Sequence, residues 1–347
     1  MTLPLLLFVA AELSDIKPRM QSFVDKGDVA GTVTLVLKDG KRQHLEAVGW
    51  QDKEKQIPMS PGTIFEIMSM TKPITGTAIA ILAEEGKLTF TDPVARHLRE
   101  FADRKETIRD LLTHTSGMPE YGPAATKEIY LRYDWTLKDA VLLYSQQPPL
   151  FAPATKWQYS NTGMATLGRI VEVLSGQPYD EFVTQRILKP LGMNDTFFFP
   201  TQDRYSRIAM AYRVTKDEPK LQPAGAYILR KGGVYPMPEG GLYSTAEDYA
   251  KFLECVRLGG KPLLSQAMTD VMIEDHLGAV QCPWGRFGLG FMVDTAKQGF
   301  GHGGAFGTHG WSERNTGITR VFMVQKFGGS VEEIRNAFVN LVNASIQ

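Results

Sequence analysis

Phe65-Glu66-Ile67-Met68-Ser69-Met70-Thr71-Lys72-Pro73-Ile74-Thr75-Gly76 reads as an apolar approach to a serine, and an Ala/Ile/Leu-rich helical pattern follows it to Gly86. Side chains three apart share one helix face, so Ser69 and Lys72 are expected to meet. A serine at a helix N-terminus faces free backbone N–H groups and a dipole that favours negative charge. Its hydroxyl is a poor nucleophile until a neighbour removes the proton. An uncharged lysine can do so, and burial lowers a lysine pKa. The stretch therefore offers a nucleophile, a base and part of an oxyanion site. A second Ser-x-x-Lys, Ser14 to Lys17, runs into Pro18 without a strand-like approach and reads as coincidence.

On either side the pattern is mixed. Leu13 to Lys26 carries apolar residues at helical spacing (Ile16, Met20, Phe23, Val24) and stops at Gly27. Thr32 to Leu37 and Gln43 to Val48 read as strands joined at Asp39-Gly40, a strong hairpin signal. Asp92-Pro93 is expected to open a helix, with further helices at 107–113, 136–146, 161–175 and 179–188. Gly240-Gly241 marks a turn, Ser244 is expected to cap a helix to Leu258, and another helix covers 266–275. Strands return at 287–293, around 304–311 and at 318–325, and an amphipathic helix over 331–346 closes the chain. Strands at both ends with helices between predict an α/β (α+β) fold, an antiparallel sheet flanked by helices and built from both termini. The expected division is 12–90 with 236–347 as the sheet domain and 91–235 as an inserted helical domain. A cleft between two such lobes is a common place for a site.

At 347 residues and 43% hydrophobic the chain can bury a large core. Its 38 basic and 38 acidic residues balance, which leaves no electrostatic footprint for nucleic acid or an anionic membrane. Leu3 to Ala11 is apolar but far too short to span a bilayer and has no basic residue before it. It reads as an apolar lead-in or a trimmed export signal; the expectation is a soluble protein, cytoplasmic in preference to exported. Cys255 and Cys282 have no metal-ligand spacing and are expected as free thiols. The six histidines form no His-x-x-x-His or His-x-His pair, and neither a metal nor another cofactor is expected.

Two further motifs bear on Ser69. Tyr159-Ser160-Asn161 stands at a helix start; a tyrosine near Lys72 could relay protons, or act as a phenolate if cations lower its pKa from about 10. Asn161 offers two donors and an acceptor for positioning a carbonyl or the lysine. In Gly301-His302-Gly303-Gly304-Ala305-Phe306-Gly307, glycines on a strand allow close approach of another backbone. A substrate carbonyl along that edge could sit between the N–H of Ser69 and an N–H of this strand.

Ser-x-x-Lys leading a helix, Tyr-x-Asn about ninety residues on and a Gly-Gly strand near the C-terminus, in that order, resemble the serine β-lactamase/penicillin-binding-protein superfamily. Within it the chain is most similar to family VIII carboxylesterases and class C β-lactamases. Leu112-Thr113-His114-Thr115-Ser116-Gly117-Met118, Leu188-Lys189-Pro190-Leu191-Gly192-Met193 and Gly240-Gly241-Leu242-Tyr243-Ser244-Thr245 add to the match. The resemblance implies Ser69 as acylated nucleophile, Lys72 as its base, Tyr159 as third catalytic residue and Ala305 as second oxyanion donor. Asn161, His302, Gly303 and Gly304 would contact substrate, and Tyr121, Trp135, Phe151 and Trp311 are candidates for the pocket walls. The chain departs from the lactamase pattern where Lys-Thr-Gly is expected: it has His302-Gly303-Gly304. A neutral imidazole cannot replace the cation that holds a lactam carboxylate, which favours a small uncharged ester as substrate. The resemblance thus implies a serine carboxylesterase working through an acyl-enzyme. A lactamase, a D-amino-acid peptidase, an acyltransferase and a non-turnover penicillin sensor are the alternatives. An α/β-hydrolase is excluded, since no Gly-x-Ser-x-Gly elbow exists: Ser312 follows Gly310 but precedes Arg314 by two.

Overall fold

The computed structural model describes residues 12–122, 135–218, 220–224, 233–329 and 331–346; the apolar Leu3 to Ala11 stretch lies outside them. The hairpin expected at Asp39-Gly40 forms between β1 (Gly31–Lys38) and β2 (Lys41–Asp52). Both turn residues take positive φ, 52° and 75°, as a two-residue hairpin turn of this hand requires. β3 (Ile57–Pro58) follows on the outer edge. The C-terminal strands are β4 (Arg286–Phe287), β5 (Met292–Asp294), β6 (Gly299–Gly303), β7 (His309–Glu313) and β8 (Ile318–Met323). Antiparallel pairing of β1 with β8, Val33 opposite Met323, joins the two ends of the chain in one sheet. Among the described residues its order is β3-β2-β1-β8-β7-β6-β5-β4.

Alternation sends the two faces of this sheet to different cores. Val36, Ile318 and Phe322 meet α1 (Ile16–Asp25) and α9 (Val331–Ser345) through Ile16, Met20, Phe23, Ile334, Phe338 and Val342. Val33, Leu35, Val321, Met323 and Phe300 face the larger core. Each such fully buried side chain stabilises the fold by about 1.5–3 kcal/mol. That core also receives α2 (Thr71–Glu84), α3 (Ile108–Leu112), α4 (Leu137–Ser145), α5 (Asn161–Ser175), α6 (Tyr179–Val183), α7 (Ala246–Arg257) and α8 (Gln266–Ile273). α2 is buried from Thr71 through Leu82, so it is the axle of the molecule rather than a surface helix. Gly76 is required there: a Cβ would lie 2.5 Å from the Leu289 carbonyl.

Several local expectations are corrected. Asp92 caps no helix; its carboxylate accepts from Thr89 N–H and Thr89 Oγ1 and pairs with Arg96 and His97, and only a single 3₁₀ turn, Val94–Arg96, follows. The cap of α7 is Thr245, which accepts from Asp248 N–H; Ser244 is spent on a strand pair, and its hydroxyl meets Thr196. The run 287–293 is two short strands, because Gly288 and Gly290 turn the chain back between them. Cys255 and Cys282 are both free. No helix among the described residues is long and apolar enough to cross a membrane.

Candidate active site

Ser69 lies in a single 3₁₀ turn, Met68–Met70, immediately before α2. The turn is pinned on several sides. Gln325 brackets Glu66, accepting from its N–H at 2.9 Å and donating to its carbonyl at 3.1 Å. Ile67 N–H donates to the Leu242 carbonyl, Thr308 donates to Ile67 O, and the Tyr249 hydroxyl donates to Met70 O. These contacts hold Met68 at φ 49°, a conformation that costs a non-glycine residue about 1–3 kcal/mol.

Lys72 Nζ, on the next turn, stands 3.0 Å from Ser69 Oγ, 2.8 Å from Asn161 Oδ1 and 2.7 Å from the Glu239 carbonyl. The side chain is fully buried. Burial lowers its pKa to about 7, against an opposing pull from the Glu239 and Glu120 carboxylates. Near neutral pH the amine is therefore substantially uncharged. With two N–H bonds committed to Asn161 and Glu239 O, its lone pair is left for the Ser69 hydroxyl proton.

Tyr159 approaches from the start of α5. Ser160 caps that helix, accepting from Gly163 N–H at 2.9 Å, and Asn161 N–H donates to Glu120 O. The buried His114 accepts from Ser160 N–H through Nδ1 at 3.2 Å, and its ring packs 4.5 Å from that of Tyr159. Its place is beneath the Tyr159 loop, not at the reacting atoms. The Tyr159 ring faces Lys72 Nζ at 4.6 Å, and its hydroxyl lies close enough to Ser69 for the serine to pull its pKa down. Burial raises its pKa far above the ordinary tyrosine value and outweighs the lowering by Ser69. Tyr159 is thus held as a phenol, and of its two sequence-based roles the phenolate base is not the one its surroundings favour.

Ser69, Tyr159, Asn161, His302, Gly303, Gly304, Ala305 and Tyr121 all line one cleft of about 460 Å³. Gly304 is needed because a Cβ there would press into the Ile67 carbonyl and the Thr308 hydroxyl, so glycine lets the 304–308 turn dock beside Ser69. His302 Nδ1 donates to Gly303 O at 2.7 Å, and burial, then the charge of Lys72, lowers its pKa to about 3. The imidazole is neutral.

Trp311 does not line this cleft. It pairs with Gly301, so it shares the sheet face of Gly301 and lies opposite the face of His302, stacked on His309. Trp135 lines a separate groove with Asp139, Leu142 and Leu143, and Phe151 packs its backbone against Gly117. The walls include residues that sequence reading did not single out: Met68, Glu120, Met237, Glu239, Trp284 and Met292. Glu120 follows the His114-to-Met118 motif by two and Glu239 precedes Gly240-Gly241, so their neighbourhoods carried a signal; Trp284 comes from a loop with none.

A family model described as Beta-lactamase matches residues 16–344. The chain belongs to this family. Among its relatives, esterase EstB of Burkholderia gladioli is 30% identical over 282 residues, 72% of this chain and 71% of that protein. Protein Rv1367c of Mycobacterium tuberculosis is 31% identical over 342 residues, 83% of this chain and 81% of that one. In structure the chain is similar to EstCE1, described as a hydrolase with promiscuous acyltransferase activity (TM-score 0.78, 26% identity, 94% of this chain and 97% of that one). It also shares its fold with the octameric penicillin-binding protein homologue from Pyrococcus abyssi (TM-score 0.80, 24% identity, 96% and 78% covered). The Beta-lactamase family member described here is a hydrolase with that fold.

Proposed function

We propose that this protein is a serine carboxylesterase that hydrolyses short-chain esters through an acyl-enzyme on Ser69. The observation that carries the reading is the buried Lys72 amine, 3.0 Å from Ser69 Oγ and with a pKa near 7. Neutral Lys72 takes the Ser69 proton as Oγ attacks the ester carbonyl. The N–H groups of Ser69 and Ala305 stabilise the oxyanion. The Tyr159 phenol passes a proton to the departing alkoxide and is replenished from Lys72. Water then adds to the acyl-enzyme by the reverse sequence, giving acid and free Ser69. An alcohol in place of water would yield a new ester by the same path.

The preference for esters over β-lactams rests on His302. A neutral imidazole stands where a lactamase needs a cation for the substrate carboxylate, and among the described residues lining the cleft there is no lysine or arginine to take that role. The likeness to EstB and EstCE1 supports the same choice.

The test is hydrolysis of p-nitrophenyl butyrate beside a chromogenic cephalosporin, with wild type and Ser69→Ala. The ester should turn over repeatedly, the cephalosporin should be at least about a hundredfold slower, and the variant should lose about a thousandfold or more. Comparable rates on both substrates would favour a lactamase. An active Ser69→Ala protein would mean the nucleophile is another residue.

A further inference from the structure

Lys72 can take the Ser69 proton only while its other two bonds stay in place, and their acceptors come from different parts of the chain. Asn161 Oδ1 belongs to the first residue of α5, and the Glu239 carbonyl belongs to the turn 237–241. That turn is strained: Met237 sits at φ 50°, and the N–H groups of Gly240 and Gly241 both donate to its carbonyl, at 2.9 and 2.7 Å. A segment of this kind keeps its shape only where its surroundings over-determine it.

Two helices hold it. The Pro238 ring packs on α5 at Gly168, where a Cβ would come within 2.2 Å of Pro238 Cγ. α2 holds it through two threonines one turn apart. Thr71 Oγ1 accepts from Leu242 N–H at 3.1 Å, and Thr75 Oγ1 donates to the Pro238 carbonyl at 2.5 Å. Thr75, one turn beyond Lys72 and fully buried, also stands 2.7 Å from the hydroxyl of Tyr179, the equally buried first residue of α6. A carbonyl can only accept, so the single hydrogen of Thr75 goes to Pro238 O and Tyr179 donates to Thr75. A threonine inside a helix ordinarily bonds back to the carbonyl four residues before it, and here that oxygen, Thr71 O, is farther away at 3.3 Å. Donation from Tyr179 polarises the Thr75 hydroxyl and strengthens its bond to the nearer carbonyl.

We propose that Thr75 is a positioning residue: its hydroxyl, backed by Tyr179, fixes the Pro238 carbonyl so that the next carbonyl along, Glu239 O, keeps one N–H of Lys72 and leaves the amine lone pair to Ser69. This rests on the esterase reading and adds to it two side chains that touch neither substrate nor the reacting atoms.

Thr75→Val tests it. The substitution keeps the shape but puts a methyl where the hydroxyl was, 2.5 Å from a carbonyl oxygen that needs about 3.3 Å from carbon. Pro238 O is pushed back, and Glu239 O moves with it. A carbonyl accepting from Lys72 favours the charged amine over the neutral one, so weakening that bond in a site that stays dry lowers the Lys72 pKa further. The readout is the pH dependence of kcat/KM for p-nitrophenyl butyrate. Its acid limb, near pH 7 in wild type, should move down by about 0.5 pH unit or more, with kcat about tenfold lower and KM little changed. Packing that was merely loosened would admit water and move the limb up, toward the ordinary lysine value. Thr75→Ser retains the hydroxyl and should keep the limb within about 0.2 pH unit of wild type. Tyr179→Phe removes a single oxygen and carries the test should Thr75→Val not fold; its limb should move down by about 0.3 pH unit. The titratable groups that act on Lys72 or lie against it, Glu120, Glu239, Tyr159, His114 and His302, are kept in every variant. A limb that stays put or moves up in Thr75→Val or in Tyr179→Phe overturns the proposal, as does a Thr75→Ser protein that behaves like Thr75→Val. Wild type without Ser69-dependent hydrolysis would instead remove the esterase reading, and the same limb is then read from the pH dependence of Ser69 labelling by a fluorophosphonate.

Discussion

Replacing Lys72 by methionine isolates the energy stored in the buried amine. Methionine has similar length, no charge and an adaptable thioether, so it can fill the same space. Wild-type Lys72 has its pKa lowered from 10.5 to about 7 in the fold. Between those values the unfolded chain binds a proton that the native protein does not. Stability from this group therefore increases with pH across the window, by about 1.4 kcal/mol per unit well inside it. The penalty is about 4 kcal/mol at pH 7, about 2 kcal/mol at pH 9, and gone above 10.5. Lys72→Met has no such term. It loses the bonds to Asn161 Oδ1 and Glu239 O, a cost largely independent of pH, so the slope decides rather than the absolute difference. Urea unfolding of both proteins at pH 7 and pH 9 should show wild type gaining about 2 kcal/mol on the variant. A difference flat to within about 0.5 kcal/mol would mean that Lys72 titrates near its ordinary value, and the base assignment would lose its footing.

The remaining expectations concern turnover. For the wild-type ester reaction, kcat/KM should rise about tenfold per pH unit below 7 and level off above it, since only the neutral amine can accept the Ser69 proton; a profile flat from pH 5.5 to 8.5 would exclude Lys72 as the base. Tyr159→Phe keeps the ring over Lys72 and removes the hydroxyl, so kcat should fall about 10²–10³-fold with KM little changed, and an unaltered kcat would show that the leaving group is protonated elsewhere. Gly304→Ala should push the 304–308 turn away from Ile67 and lower kcat/KM by more than about tenfold, while full activity would mean that the turn need not dock beside Ser69.

Much of the fold was legible because its signals are local and repeated. Asp39-Gly40 between two alternating runs names the hairpin, and the spacing of Ile16, Met20 and Phe23 names the apolar stripe of α1. Ser69, Lys72, Tyr159 and the glycines of β6 stood out because a motif sets each of them apart. What sequence could not supply was geometry across the sheet. Trp311 looked as available to the cleft as His302, and only its pairing with Gly301 shows that it faces the other way. The Asp92 and Ser244 expectations failed for a shared reason: each side chain found partners in a turn or a neighbouring strand, where propensity for a cap is no guide. Glu120 and Glu239 belong to the same class, since a carboxylate becomes informative only when it is seen beside Lys72 and Tyr159.

The account stands or falls on which atom carries the acyl group. Intact-protein and peptide mass spectrometry after rapid acid quench of a reaction with p-nitrophenyl butyrate reads it directly. The predicted result is one butyryl group on the Ser69 peptide, absent from Ser69→Ala and longer-lived when deacylation is slowed in Tyr159→Phe. A butyryl group on any other residue during productive turnover, or turnover with no acyl group detectable in either wild type or Tyr159→Phe, would contradict it.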